Sequence, residues 1–303
     1  MNGVLVIDKP PGLTSHDVVN RVRRILQQRS VGHLGTLDPL ATGVLPLVVG
    51  NLTRLAQFYT SSEKTYEGVI RFGFATDTYD AEGETTSPAQ AVVLSLPQVK
   101  ELAGRFQGVI EQMPPPFSAK KVHGVPAYKL ARKHKDVPLK AIRVEIKEFE
   151  ILQVEGDRAC FRARVASGTY MRSVAHEMGQ LLGCGAHLES LRRTGLSEFD
   201  LAMAHTLESV ESAAGNKPLL QELFVHPRQL LPQLPCVAVD GETARRIRSG
   251  RAVNLPELSQ CRQVKVFLGQ RELIAIATRV AGTLFHPGIV LAANPALQMA
   301  RNQ

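Results

Sequence analysis

Asp38 is the only carboxylate in the segment Gly32-His33-Leu34-Gly35-Thr36-Leu37-Asp38-Pro39-Leu40-Ala41-Thr42-Gly43. A lone acid in a glycine-rich loop is a candidate nucleophile or base. Pro39 fixes the backbone after it and keeps Asp38 itself extended, so the side chain is held rather than mobile. A turn aspartate bonded to its own backbone is the plainer alternative. The loop does not read as a phosphate cradle, because no Gly-Lys-Ser/Thr follows its glycines.

A second candidate is Ser167-Gly168-Thr169-Tyr170-Met171-Arg172-Ser173, where a hairpin ends and a helix begins. Arg172 falls in the first helical turn, where the helix dipole disfavours a cation. Its position therefore suggests a nearby carboxylate or phosphate, with a plain surface arginine as the alternative. Metal chemistry is not expected: His176-Glu177 meets Gln180 where a His-Glu-x-x-His site needs histidine, and Asp77 to Gly83 lacks the calcium-loop spacing. Cys160, Cys184, Cys236 and Cys261 form no Cys-x-x-Cys pair and read as buried thiols.

These residues need elements to position them. Val18, Val19, Val22, Ile25 and Leu26 predict an amphipathic helix capped by Ser15, with Arg21, Arg24 and Gln28 on its outer face. Tyr66, Gly68, Ile70 and Phe72 predict a strand, and Ile142, Val144 and Ile146 another. The apolar phase of the latter shifts at Glu148, to Phe149 and Ile151, which predicts a β-bulge. A turn at Glu155-Gly156-Asp157 then returns the chain through Phe161, Ala163 and Val165 as a long hairpin. Helices are expected near 96–106, 171–182 and 205–213. Ala214 to Pro218, then Pro227, Pro232 and Pro235, read as a linker. Beyond it, Val264 to Ala277 predicts a small β-rich unit, preceded by a short helix ended by Gly250. The expected class is α+β around a mainly antiparallel mixed sheet, with domains at 1–234 and 235–303.

The chain has 303 residues and carries 36 Lys and Arg against 28 Asp and Glu, net +8. That balance favours a polyanionic partner. The positive charge is concentrated in Lys120 to Arg143 and in the segment from Cys236 onward, where 9 basic residues meet 4 acidic ones. Solvated faces are the plainer reading of each run. No apolar stretch is long enough for a membrane helix, and Asp8 and Lys9 interrupt any signal-peptide core, so a cytoplasmic protein is expected.

Six blocks in order carry a family resemblance: Val6 to Val19, Gly32 to Arg54, Lys64 to Gly83, Gln112 to Arg132, Ser167 to Gly179 and Leu191 to Phe199. Through them the chain resembles the bacterial tRNA pseudouridine-55 synthase family, TruB. The tail resembles the RNA-binding PUA fold more loosely, through Leu273 to Ala277 and the basic stretch before it.

The resemblance implies isomerisation of one T-loop uridine of tRNA by breaking N1–C1′ and forming C5–C1′, without a cofactor. It assigns Asp38 as nucleophile, at either ribose C1′ or uracil C6, kept ionised by a forked contact from Arg172. Tyr66 would stack on the target base and take part in proton transfer at C5, although it also shares an apolar strand face. His33 would occupy the space of displaced bases, Tyr170 and Leu191 would contact the flipped nucleotide, and Lys9, with Pro10, would support the catalytic loop beside the substrate. RNA-backbone contacts are expected from Arg21, Arg24, Lys120, Lys121, Arg132, Arg245, Arg246 and Arg248. The implied protein is a monomer acting on the T-arm without guide RNA. A noncatalytic tRNA-binding or RNA-folding protein is the alternative; it would account for the charge but not require Asp38, Tyr66 and Arg172 together.

Overall fold

Strand β1 (Gly3–Lys9) is buried on both faces, which explains its unbroken apolar run. Leu5 and Ile7 enter one core, and Val4 and Val6 enter another. That double burial organises the computed structural model, which describes residues 1–117, 121–122, 125–126 and 139–291. The chain continues through α1 (Ser15–Ile25), β2 (Val31–His33), β3 (Thr42–Val49), a 3-10 segment (Gly50–Tyr59), β4 (Lys64–Phe72), α2 (Leu96–Gly104), β5 (Gly108–Gln112) and the short pair β6 (Lys121–Val122) and β7 (Val125–Pro126). Next come β8 (Ile142–Glu155), β9 (Arg158–Val165), α3 (Met171–Leu181), β10 (Ala186–Leu196), β11 (Phe199–Asp200), β12 (Ala204–His205), α4 (Leu207–Ala213) and α5 (Lys217–Glu222). The C-terminal part holds β13 (Cys236–Val239), α6 (Gly241–Arg248), β14 (Val253–Asn254), β15 (Gln263–Leu268), β16 (Glu272–Ala281) and β17 (Leu284–Val290).

The large sheet runs β12-β1-β3-β10-β4-β9-β8-β5, with β2 added to β3 and β11 to β10. It is antiparallel except at β1–β12 and β3–β10. Helices α1, α2, α3 and α4 cover one face through Val18, Val22, Val99, Leu102, Val174, Met178 and Leu207. The opposite face of β4, β9 and β10 is crossed by ion pairs, Arg162 with Glu67 at 2.8 Å and Arg158 with Glu189 at 2.8 Å among them. Such exposed pairs add little stability, but they keep an uncovered sheet face polar. The expected bulge is present as a register shift between Ile146 and Glu148, with a second shift between Ile151 and Gln153. The hairpin turn pairs Glu155 with Arg158, leaving Gly156 in the left-handed region at φ 56°.

Three expectations change. The cap of α1 is Thr14 rather than Ser15: its hydroxyl accepts from the Asp17 amide while the Asp17 carboxylate accepts from the Thr14 amide, a capping box that releases Ser15 for another task. Ala214 to Pro218 is not open linker, because Asn216 caps α5 there. The prolines before residue 236 do not free the tail either. Leu230 and Leu231 are buried with Val44 and Val48 of β3 and with Phe267, Leu273 and Ile276 of the C-terminal five-stranded sheet, β13-β15-β16-β17-β14. Lys265, 1 % exposed, donates to the carbonyls of Arg228 at 2.9 Å and Leu230 at 2.6 Å, tying that connection to β15.

Candidate active site

Asp38 lies in the loop between β2 and β3, and buried side chains take up the backbone around it. Arg193 of β10 is fully buried and donates to the carbonyls of Gly35 at 3.0 Å, Thr36 at 3.3 Å and Val44 at 2.7 Å. The Ser15 hydroxyl donates to the Leu37 carbonyl at 3.1 Å and accepts from the Leu37 amide at 2.8 Å. The Asp38 carbonyl accepts from the Ala41 amide at 3.1 Å. Lys9, also fully buried, donates to Pro39 at 3.1 Å and Pro10 at 2.9 Å, and the Gly12 amide donates to Pro39 at 2.9 Å. Every carbonyl from Gly35 to Pro39 is thereby satisfied, so the loop holds one conformation without regular structure. Gly43 closes it at φ 96°, where any Cβ would meet the Arg193 carbonyl at 2.2 Å.

Arg172 comes to this loop from the start of α3. Gln112, at the end of β5, fixes that start: its side-chain amide accepts from the Tyr170 amide at 2.8 Å and donates to the Tyr170 carbonyl at 3.1 Å. The Ser173 hydroxyl adds a bond to Met113 at 2.7 Å. The Arg172 Nε lies 2.9 Å from Asp38 Oδ2, as an ion pair rather than an aligned hydrogen bond. Its Nη1 reaches Asp80 at 3.3 Å and the Thr78 carbonyl at 3.0 Å, and its Nη2 donates to Phe117 at 2.9 Å. The expected fork on Asp38 is therefore a shared guanidinium, because two carboxylates and two carbonyls compete for its donors. Asp80, 4 % exposed at its side chain, is the member that the sequence reading missed. Its other oxygen accepts from the Thr78 hydroxyl at 2.6 Å and the Glu82 amide at 3.1 Å. The signal for it lies in Asp77 to Gly83, which fails as a metal loop but closes the resemblance block Lys64 to Gly83.

A cavity of about 640 Å³ opens over Asp38, lined also by Ser15, His16, His33, Asp80, Glu82 and Arg172. The Asp38 side chain keeps 38 % of its surface open to this space. Burial pushes its carboxyl above the ordinary range; Arg172 pulls it back and Asp80 pushes it further up. Arg172 alone thus does not set the charge of Asp38, contrary to the expectation of a simply ionised group. Burial brings Lys9 down to about 8 against the opposing pull of Glu82 and Asp38. His33 is lowered by burial and by Arg193.

Among the other anticipated residues, Tyr66 is 8 % exposed and sits opposite Arg193 in the β4–β10 register. It does not line the Asp38 cavity, and neither does Tyr170. Leu191 lines a separate groove of about 540 Å³ with Leu40 and Arg192, so the Asp38 loop forms a wall between two hollows. Arg21 is paired with Glu211 at 2.8 Å and Glu208 at 3.3 Å, Arg248 is bonded to Glu272, and Arg246 donates to Ala252 at 3.2 Å. Arg24 and Arg245 are exposed. Lys120 and Arg132 lie outside the described residues; Lys121 is described only as backbone of β6.

Chains from two solved assemblies share this fold. One belongs to a Cbf5-Nop10-Gar1 complex (TM-score 0.71, 24 % identity, 96 % of this chain and 85 % of that one). The other belongs to an H/ACA RNP bound to a substrate RNA containing 2′-deoxyuridine (TM-score 0.71, 23 % identity, 97 % and 86 %). The shared fold is the mixed sheet with a β-rich, PUA-like C-terminal unit, and the family models that match this chain make its class that of the pseudouridine synthases. Within that class, the model described as the N-terminal domain of TruB family pseudouridylate synthase matches residues 23–171, and that for the C-terminal domain of tRNA pseudouridylate synthase B matches 172–227. A tRNA pseudouridine synthase B of Solibacter usitatus is 50 % identical over 294 residues, 96 % of this chain and all of the relative. Another, of Syntrophotalea carbinolica, is 41 % identical over 251 residues, 82 % of this chain and 81 % of the relative. The chain belongs to the TruB family.

Proposed function

We propose that this protein is a tRNA pseudouridine-55 synthase, converting a T-loop uridine without cofactor or guide RNA. The observation that carries this reading is Asp38, presented to a nucleotide-sized cavity on a loop held by buried side chains and paired with Arg172. A rigid carboxylate has no conformational freedom to lose when it attacks. Asp38 adds to ribose C1′ or uracil C6, N1–C1′ breaks, the base turns, and C5 bonds to C1′. Asp38 is displaced from C1′ as C5 bonds there, or is expelled from C6 as the C5 proton leaves and C5=C6 re-forms; in either route C5 loses one proton and N1 gains one. Arg172 is a positioning residue, Tyr66 the aromatic partner of the extruded base, and His33 the group beneath the vacated stack. Lys9 acts through the Pro39 carbonyl, and Tyr170 and Leu191 contact the nucleotide once it enters.

Residues 1–234 form the catalytic domain and 235–303 the RNA-binding one in this reading, and the protein works as a cytoplasmic monomer. Arg24 and Arg245, both exposed, suit phosphate contacts better than the paired Arg21 and Arg248. The test is release of tritium from unmodified tRNA transcript carrying 5-tritiated uridine, with the product mapped to the T-loop. Release from the transcript alone, with no guide RNA added, is the expected result. Tight tRNA binding with no release would favour the noncatalytic alternative.

A further inference from the structure

Tyr79 stands between Thr78 and Asp80, the two residues that share Arg172 with Asp38. Its φ is 64°, a left-handed backbone that a bulky side chain adopts only at a cost and that glycine adopts freely. Among the described residues, Gln27, Tyr79, Ser197 and Leu231 are the non-glycine residues with such a φ, and of these only Tyr79 is flanked by residues lining the Asp38 cavity. Strain of this kind persists where the surroundings over-determine the conformation. Backbone bonds do part of that here: the Tyr79 amide donates to the Thr76 carbonyl at 3.3 Å, and the Tyr79 carbonyl accepts from the Leu188 amide of β10 at 2.9 Å. The side chain supplies the rest. Its ring stacks on the His176 imidazole, the centroids 3.7 Å apart and the planes 11° from parallel.

His176 follows Arg172 by one turn of α3 and lies on the same face of that helix. The segment from Thr78 to Asp80 therefore meets α3 twice. Arg172 Nη1 donates to the Thr78 carbonyl at 3.0 Å and reaches Asp80 at 3.3 Å, and the ring stack makes the second contact. One contact would let the loop pivot about Arg172, whereas two contacts a turn apart fix its angle to the helix. The flat face of His176 is what this uses, and not its polarity. Burial lowers the imidazole below its ordinary value and keeps it neutral, and Nδ1 is buried with no hydrogen-bond partner among the described residues. The Gln180 amide, a further turn along, donates to Nε2 at 3.0 Å and sets the plane of the ring. Resting on the function proposed above, we infer that Tyr79, stacked on His176, is a positioning residue of the reaction: it holds the Thr78 carbonyl and the Asp80 carboxylate at the angle that sets the Arg172 guanidinium against Asp38. Tyr79 does not itself line the cavity, so it acts only through these neighbours.

The test measures single-turnover pseudouridine formation by the full-length protein on saturating tRNA transcript, together with tRNA affinity and melting temperature. Tyr79→Gly removes the ring and relieves the backbone, so the fold is not put at risk at that residue. It is expected to slow the reaction at least about tenfold, as loss of fine alignment does, while tRNA affinity stays within about twofold of wild type. His176→Ala removes the same stack from the helix side and should reproduce the loss, and His176→Phe, which keeps a flat ring, should recover it. In the Arg172→Lys background, Tyr79→Gly should add less than about twofold, because the group it aligns is no longer there. Full activity of Tyr79→Gly and His176→Ala overturns the assignment. So does His176→Phe as slow as His176→Ala, a Tyr79→Gly loss that persists undiminished in the Arg172→Lys background, or a rate loss matched by an equal loss of tRNA affinity. Wild-type protein that makes no pseudouridine would overturn the functional reading instead, before any variant is compared.

Discussion

In the proposed function Asp38 carries the chemistry, and it also has a cost in stability, because a carboxylate raised by burial is less stable ionised in the fold than in the open chain. Asp38→Asn should abolish turnover, by at least about a thousandfold as for loss of other nucleophiles, while leaving tRNA affinity nearly unchanged. The sign of its stability effect follows from the raised value. The asparagine variant should melt higher than wild type at neutral and alkaline pH, with the gap closing as pH falls through the raised value and vanishing below the ordinary 3.8. A melting gap independent of pH would contradict this. The acid limb of the wild-type pH–rate profile should lie above that of an ordinary aspartate. Arg172→Lys should move it higher still and cut activity roughly a hundredfold, since one ammonium cannot reach Asp38, Asp80, Thr78 and Phe117 as a planar guanidinium does.

At the scale of elements, the active loop depends on two donors outside it. Ser15 stands at the first position of α1 because Thr14 does the capping, and its hydroxyl holds both backbone groups of Leu37. Ser15→Ala should cost about 1–2 kcal/mol and speed hydrogen exchange at the Leu37 amide, lowering kcat more than it raises KM. Unchanged exchange at Leu37 would show that the loop holds itself. Arg193→Met leaves three carbonyls without a buried donor and should cost about 3 kcal/mol or more. Neither role was legible in the chain. Arg192 and Arg193 are adjacent and chemically identical, yet strand alternation sends the first to Asp8 in a two-point pair at 3.0 and 2.8 Å and the second into the core.

For the whole molecule, the C-terminal sheet is a structural partner of the large sheet, with which it shares a core. Removing everything after Leu234 strips Phe267, Leu273 and Ile276 from the core around Val4 and Val44, and takes the Lys265 ammonium from the Arg228 and Leu230 carbonyls. Burial of even a few such side chains is worth several kcal/mol. The truncated chain should therefore melt well below the full one, instead of simply binding RNA less tightly. Charge reversal in the intact chain isolates the electrostatic contribution. Arg245→Glu should weaken tRNA binding and lower the log-log salt slope by about one, whereas Arg248→Glu should act mainly on stability through its Glu272 partner. Equal salt slopes for wild type and Arg245→Glu would remove that arginine from the interface.

What the sequence determined by itself was local or motif-borne. The α1 periodicity, the bulge at Glu148, the Gly156 turn, the strand alternation around Tyr66 and the Asp38 and Arg172 blocks depend on neighbours a few residues away, where spacing and backbone preference suffice. Tertiary structure alone decided which buried polar groups meet. Asp80 joins Arg172 across 92 positions and Arg193 reaches Gly35 across 158, and no local rule specifies such pairings. They are fixed by the need of each buried donor and acceptor for a partner once the sheet has brought distant strands together.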